Sequence, residues 1–88
     1  MSNDYVDGNA LAGDLQEIFA MDMTAATGRC AGCGYRGAVA TLRVYQRAPG
    51  LVARCPSCEK VVLRVVRGPD RAWLDLRGTL NLEIPLPS

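Results

Sequence analysis

The chain has 88 residues and a formal net charge of +1, so we expect one domain with a small core that needs a disulfide, a metal ion or a partner chain for stability. It contains no histidine, which removes the commonest general base and argues against an enzyme. The opening residues resemble no signal peptide and no apolar run is long enough to span a membrane, so we expect a cytoplasmic protein with neither a membrane partner nor a small-molecule substrate.

The charge is unevenly distributed along the chain. Residues 1–23 contain five acids and no base, whereas residues 24–88 contain all ten basic residues and four acids. We therefore predict a single domain over residues 1–88, made of an acidic helical leader at 1–23 and a basic β body at 24–84. A cationic body suits nucleic acid or an acidic protein, although the leader can also neutralise it within the molecule.

The leader predicts one short helix, with Asn9 as its N-cap and its end near residue 20. Its apolar side chains recur at helical spacing, at Leu11, Leu15, Ile18 and Phe19. Asp14 and Glu17 fall on its polar side.

The body alternates short apolar runs with glycine and proline, which is typical of a small antiparallel β structure. We predict one antiparallel sheet with strands at residues 39–45, 51–54, 60–67, 71–77 and 79–84, and no further helix. Alternation places Leu42, Leu63 and Leu74 on one side of this sheet, and Tyr45, Val62, Val66 and Trp73 on the other.

The second side would be a docking site for a partner if nothing covered it. The simpler expectation is that the leader helix covers it, because an amphipathic helix on a half-covered sheet completes a small core. In that arrangement the acids of the helix would also screen the arginines, which weakens the case for nucleic acid.

The strongest signal is two cysteine pairs of equal spacing, CAGC at residues 30–33 and CPSC at residues 55–58. Two residues between paired cysteines let a tight turn aim both sulfurs at one point. The 21 residues between the pairs are long enough for one β-hairpin with Pro49-Gly50 at its tip, which would carry both pairs to the same end of the sheet. The spacing predicts a Zn²⁺ site ligated by Cys30, Cys33, Cys55 and Cys58.

Residues beside the cysteines fit a metal site. Gly34 follows the first pair, where a turn commonly needs positive φ, and Glu59 holds the equivalent place after the second pair. Basic residues also flank the ligands in sequence and would lower the thiol pKa values, at Arg29, Arg36, Arg54 and Lys60.

Through CAGCG, CPSC and the hairpin-length spacer the chain resembles the zinc-ribbon superfamily. The strings DGNALAG, TAATGRCAGCG, APGLVARCPSC and VRGPDRAWLDLRG are also similar to those of a family of small actinobacterial proteins of unknown function. The resemblance implies a ribbon fold, a bacterial source and metal ligands at the four cysteines. It implies no activity.

The two cysteine turns also resemble those of rubredoxins, in which four thiolates hold iron as a one-electron carrier. Two features favour zinc over iron here. Glu59 replaces the second glycine, and the chain has only one Phe, one Trp and three Tyr where rubredoxins have a dense aromatic core.

Four cysteine ligands leave no open position on the metal, so we expect a structural site without catalysis. We rank a protein-interaction adaptor first and a nucleic-acid-binding ribbon as the alternative. The candidate binding residues are Trp73, Tyr45, Arg64 and Arg67. The oligomeric state stays open, because the edge at 79–84 could pair with another chain or be capped by the prolines that follow it.

Overall fold

The computed structural model describes residues 5–19, 23–47 and 50–86. Within these residues it has one α-helix, α1 (Ala12–Phe19), and three 3-10 turns, at Gly8–Leu11, Met23–Ala25 and Val39–Thr41. The strands in the same ranges are β1 (Val6–Asp7), β2 (Thr27–Cys30), β3 (Arg36–Ala38), β4 (Arg43–Arg47), β5 (Gly50–Arg54), β6 (Val61–Arg67), β7 (Ala72–Asp75) and β8 (Thr79–Glu83). This confirms the prediction of a small, mainly β, zinc-ribbon-like fold with a short N-terminal helix.

The described strands form two antiparallel sheets, whereas the sequence predicted one. One sheet has five strands in the order β1-β4-β5-β6-β7, and the other has three in the order β3-β2-β8. The chain leaves the first sheet after β7 in a turn where the Thr79 N–H donates to the Leu76 carbonyl at 2.9 Å. Gly78 allows this turn to approach β6, because a Cβ there would overlap the Val61 carbonyl. β8 therefore pairs with β2 and not with β7.

The N-terminal helical segment starts close to the predicted position but is capped differently. Its cap is Asp7 and not Asn9, because the Asp7 carboxylate accepts a hydrogen bond from the Asn9 backbone N–H at 3.0 Å. A 3-10 turn precedes α1. The predicted helix end near residue 20 lies outside the described residues.

The helix covers the opposite side of the five-stranded sheet from the one predicted. Leu11 and Leu15 are buried in one core with Val44, Leu63 and Val65, which lie on the inward side of β4 and β6. This side carries the most deeply buried strand residues, so it is the side that gains most from a covering helix. The side that carries Tyr45 and Trp73 faces away from α1.

Ion pairs fix the helix to the sheet. The Arg67 guanidinium at the end of β6 lies 2.8 Å from the Asp14 carboxylate and 2.6 Å from that of Glu17. The hydrogen bond from Arg67 to Asp14 and the charge of Glu17 raise the pKa of Arg67 further above its ordinary value. Asp14 and Glu17 of the leader are thus engaged on the inward side of the sheet.

Two local predictions were wrong for identifiable reasons. The strand predicted at 39–45 begins only at Arg43, because Val39 donates to the Ala26 carbonyl at 2.8 Å and a 3-10 turn follows it. Val62 was expected on the second side of the sheet but is buried. A bulge between Ala53 and Arg54 leaves Val62 unpaired and lets it turn toward the space between the sheets.

The core lies between the two sheets and α1, and it includes Cys30 and Cys55. The enclosed space between the sheets is only about 10 Å³, lined in part by Val62, Leu63 and Leu82, too little to hold a small molecule. In the part of the chain that is described, no helix has the length and apolar character needed to cross a membrane.

Candidate metal centre

Each cysteine pair lies in a turn that joins two strands. Cys30 ends β2 and its turn leads toward β3, and Cys55 follows β5 and its turn leads toward β6. Because β2 and β5 belong to different sheets, the two pairs meet across the joint between the sheets, not at one end of a single sheet as predicted. The expected hairpin between the pairs does form, from β4 and β5. Of its predicted tip, Pro49 lies outside the described residues and Gly50 begins β5.

Three hydrogen bonds shape the first turn. The Cys30 N–H donates to the Tyr35 carbonyl at 2.8 Å, and the Gly34 N–H donates to the Cys30 carbonyl at 2.9 Å. The Gly32 N–H points at the Cys30 sulfur at 3.3 Å. These bonds close the turn around the Cys30 sulfur.

The second turn repeats this pattern. The Cys55 N–H donates to the Lys60 carbonyl and the Glu59 N–H donates to the Cys55 carbonyl, each at 2.9 Å. The Ser57 N–H lies 3.3 Å from the Cys55 sulfur. The two turns therefore present their sulfurs in the same way.

The residue after each pair has a left-handed backbone conformation. Gly34 has φ 82°, which confirms the reason for a glycine there, and Glu59 has φ 66°. A non-glycine residue rarely adopts such a φ because its Cβ crowds the following carbonyl. The second turn thus has the same backbone geometry as the first, although it lacks the glycine that best suits the left-handed position.

The four sulfurs lie within 4.8 Å of one another. The sulfurs of Cys30 and Cys58 are 3.7 Å apart, and those of Cys33 and Cys55 are 3.6 Å apart. A tetrahedral ion with metal–sulfur bonds of about 2.3 Å needs sulfurs roughly 3.8 Å apart, whereas a disulfide needs about 2.05 Å. The donor set and its spacing therefore fit one tetrahedral metal ion.

The first cysteine of each pair is buried, whereas Cys33 is exposed and Cys58 is half-buried. The pKa of Cys33 is lowered to about 7, chiefly because the Tyr35 backbone N–H donates to its sulfur. For Cys58 a backbone hydrogen bond from Lys60 also lowers the pKa, but desolvation and the neighbouring thiols outweigh it and raise the pKa to about 11. The two values separate because ionising one thiol makes ionising its neighbours harder. A cation at the centre would remove that repulsion.

A basic side chain also connects the two turns. A Cβ at Gly32 would lie 2.8 Å from Cδ of Lys60 and 3.7 Å from two of the sulfurs, so the Lys60 stem crosses from the second turn to the first. Arg54, another basic residue next to a ligand in sequence, donates to the Glu59 carbonyl at 2.9 Å. A four-thiolate site with a divalent ion carries net negative charge, which neighbouring basic residues stabilise.

The side of the five-stranded sheet away from α1, here called the outer face, contains most of the candidate binding residues. From the strand register it carries Arg43, Tyr45, Val52, Arg54, Arg64, Val66, Trp73 and Asp75. Tyr45, Arg64 and Trp73 of the predicted set thus share one surface. Arg67 lies on the other side of the sheet, bound to α1.

Tyr5 and Arg54, which the sequence did not single out as binding residues, cluster with Arg43 on the outer face. The Arg43 guanidinium lies 5.0 Å from the Tyr5 ring centre, and that of Arg54 lies 5.7 Å from the Tyr45 ring centre. The two tyrosine rings are 5.8 Å apart. The alternation of side chains along β4 and β5 indicated that the arginines share one face of the sheet. The two-residue strand that brings Tyr5 beside them is too short to recognise in the sequence.

Comparison with known proteins identifies one family. The sequence model described as a family of unknown function, DUF6510, matches residues 2–87. Neither the curated proteins nor the solved structures contain a match. The match spans nearly the whole chain and brings no ligand or activity with it.

Proposed function

Because the chain belongs to the DUF6510 family, whose function is unknown, we propose a function from the chain's own residues: the four cysteines hold one structural Zn²⁺ in a non-catalytic interaction module of the zinc-ribbon type. Such an adaptor would work in the cytoplasm, where thiols persist as metal ligands more often than as disulfides. Its outer face would be the surface that meets a partner.

The observation that carries this proposal is the meeting of four sulfurs from two sheets within 4.8 Å. The ion would join the turn after β2 to the turn after β5 and so hold the sheets together. Binding that occurs only in the folded state adds to the folding free energy, by on the order of 10 kcal/mol for structural zinc in small domains. The core of this short chain is small, so such a contribution would decide whether it folds.

A structural role is supported over a catalytic one by the ligand set. Four thiolates complete the tetrahedral coordination of zinc, whereas catalytic zinc keeps a position open for water or substrate. Cys30 and Cys55 also belong to the hydrophobic core, so the site is continuous with the packing of the domain.

Elemental analysis of protein produced with zinc and iron both available tests the proposal. We expect one zinc per chain in a colourless solution, and loss of zinc together with the folded state in Cys58→Ser. Ser57→Ala is the matched control, because it changes an exposed residue of the same turn and keeps the backbone N–H that points at Cys55. A Cys58→Ser protein that is well folded without metal would contradict the structural role.

One observation favours iron as a second candidate. Glu59 adopts nearly the same φ as Gly34, so the missing second glycine does not disturb the turn geometry that a rubredoxin-like site needs. Iron in four thiolates would make the domain a one-electron carrier. The visible spectrum separates the two metals, because a ferric thiolate site absorbs visible light and a zinc site does not.

A further inference from the structure

Three arginines lie on neighbouring strands of the outer face. They are Arg43 on β4, Arg54 on β5 and Arg64 on β6. Arg43 and Arg54 are direct cross-strand partners. Like charges directly opposite each other destabilise a sheet, and an anionic ligand bound at this face would reduce that repulsion.

Neighbouring acids offset only part of this charge. The carboxylate of Glu59 lies 3.5 Å from Arg43, but its side chain is 70% exposed. Asp75 is held by Arg77 at 2.6 Å, an additional base beside the same face. The acids of α1 bind Arg67 on the inward side of the sheet. Asp7 of the leader is the cross-strand partner of Arg43, so three acids on this face stand against four bases, Arg43, Arg54, Arg64 and Arg77. A small positive charge therefore remains.

Aromatic rings lie among these arginines. Trp73 is 56% exposed, and its ring lies against Gly68 in the turn before β7, since a Cβ there would be 3.1 Å from the ring. Tyr45 and Trp73 are three strand spacings apart, roughly 14 Å across the sheet, and Trp73 is displaced by two residues along the strand. This separation leaves room for more than one stacked base at about 3.4 Å each. An open groove of about 280 Å³ is lined by Tyr45, Val52, Arg54 and Glu59.

We propose that the outer face binds single-stranded nucleic acid, with Tyr45 and Trp73 stacking on bases and Arg43, Arg54 and Arg64 contacting phosphates. An exposed ring and a half-buried ring between basic side chains suit a single strand, because its unpaired bases offer their flat faces to aromatic residues. In a duplex those faces are stacked inside the helix. The inference rests on the proposed function only in that it names the partner of the same interaction surface.

Tryptophan fluorescence provides a direct assay, because Trp73 is the chain's one tryptophan. The full chain, with its zinc content measured in the same sample, is titrated with dT20 and with rU20 at 50 mM and 200 mM salt. We expect saturable quenching. Three phosphate contacts would give a slope of about −2 for log K against log salt, since each contact to a single strand contributes roughly −0.7.

Variants distinguish stacking from general charge. Arg64→Gln should reduce the steepness of the salt dependence by about 0.7, and Tyr45→Leu should weaken binding about tenfold. Arg29→Gln is the matched control, because it removes the same charge from an exposed position on the three-stranded sheet, and it should leave the salt slope unchanged. Zinc content and circular dichroism show whether each variant is folded.

Four results would overturn the proposal. The first is the absence of quenching in a folded, zinc-loaded chain, and the second is tighter binding to a duplex than to dT20. The third is an equal effect of Arg29→Gln and Arg64→Gln on the salt slope, and the fourth is binding of polyglutamate as tight as that of dT20. The last result would indicate an acidic protein as the partner. None of these four results bears on the proposed zinc site. A folded chain without metal would contradict the proposed function and would leave the measured nucleic-acid binding unaffected.

Discussion

The two cysteine turns have the same backbone hydrogen bonds but differ in the residue that takes the left-handed conformation. The first turn has Gly34 at this position, which adopts the left-handed conformation at little cost. The second has Glu59, which adopts the same conformation at a steric cost. Both turns place two sulfurs beside the other pair. This shared role, and not the residue type at the left-handed position, therefore accounts for the common geometry. A local strain of about 1 kcal/mol at Glu59 is small against what a structural metal contributes.

The two turns also differ in what supports them. The first is fixed by backbone, because the Ala31 N–H donates to the Gly78 carbonyl at 2.9 Å. The second is fixed by a side chain, because Arg54 donates to the Glu59 carbonyl at 2.9 Å. The first turn thus depends on the segment that connects the two sheets, and the second depends on its own hairpin.

Removing a buried ligand should have the largest effect. Cys55→Ser takes away one thiolate and leaves a hydroxyl in the core, where Cys55 is fully buried. We expect loss of zinc and no cooperative urea transition, because on the order of 10 kcal/mol of metal binding is lost. Cys33→Ser changes an exposed ligand of the other turn, and we expect it to lose its metal and unfold as well. Retention of stoichiometric zinc by either variant would show that the two turns do not act as one site.

Substituting the connecting glycine should have the next largest effect. Gly78→Ala places a Cβ on the Val61 carbonyl, so the turn must move and the support of the first cysteine turn is lost. We expect the free energy of unfolding to fall by about 3 kcal/mol in urea denaturation. Gly13→Ala is the control, because nothing lies within 4 Å of a Cβ there, and in α1 it should stabilise by up to about 1 kcal/mol. Equal behaviour of the two variants would contradict the close approach at Gly78.

Gly34→Ala tests the first turn alone. An alanine at position 34 would keep the φ of 82° only at a steric cost. We therefore expect the free energy of unfolding to fall by about 1–2 kcal/mol while zinc stays bound. The space around a Cβ is open at this position, so the loss would report backbone strain and not a clash. An unchanged urea midpoint would mean that the turn relaxes to another conformation.

Glu59→Gly should have the smallest effect and the opposite sign. It relieves the left-handed strain in the second turn and removes an exposed ion pair with Arg43. We expect stabilisation by about 0.5–1 kcal/mol, since an exposed pair contributes little. Glu59→Gln keeps the side chain without its charge and should be close to neutral. A destabilised glycine variant together with a neutral glutamine variant would place the importance of Glu59 in its side-chain packing.

Much of the candidate site could be predicted from the sequence because its signal is local. The spacing within each cysteine pair and the glycine after Cys33 describe a turn of a few residues, and the turns form accordingly. β5 and β6 were also predicted within a residue or two of their bounds, β6 because it is rich in β-branched residues. Their apolar character matches burial on the inward side.

The rest depends on contacts between distant segments. β2 and β3 contain Gly28 and Gly37 and have little strand propensity of their own, so they exist because β2 pairs with both β3 and β8. The bulge at Val62 and the change of sheet after β7 follow from how the two sheets pack. The amphipathic pattern of α1 could not predict which side of the sheet the helix covers, because both sides of the predicted sheet carried apolar residues.

A chelator titration followed by two signals would test whether the metal joins the two sheets. Zinc release is measured with a colorimetric dye, and the two-dimensional amide NMR spectrum is recorded on the same samples. If the four cysteines form one structural site, one zinc per chain is released and the resonances of both sheets are lost together. A metal-free chain that keeps its native spectrum, or one in which only one sheet loses its resonances, would contradict the account.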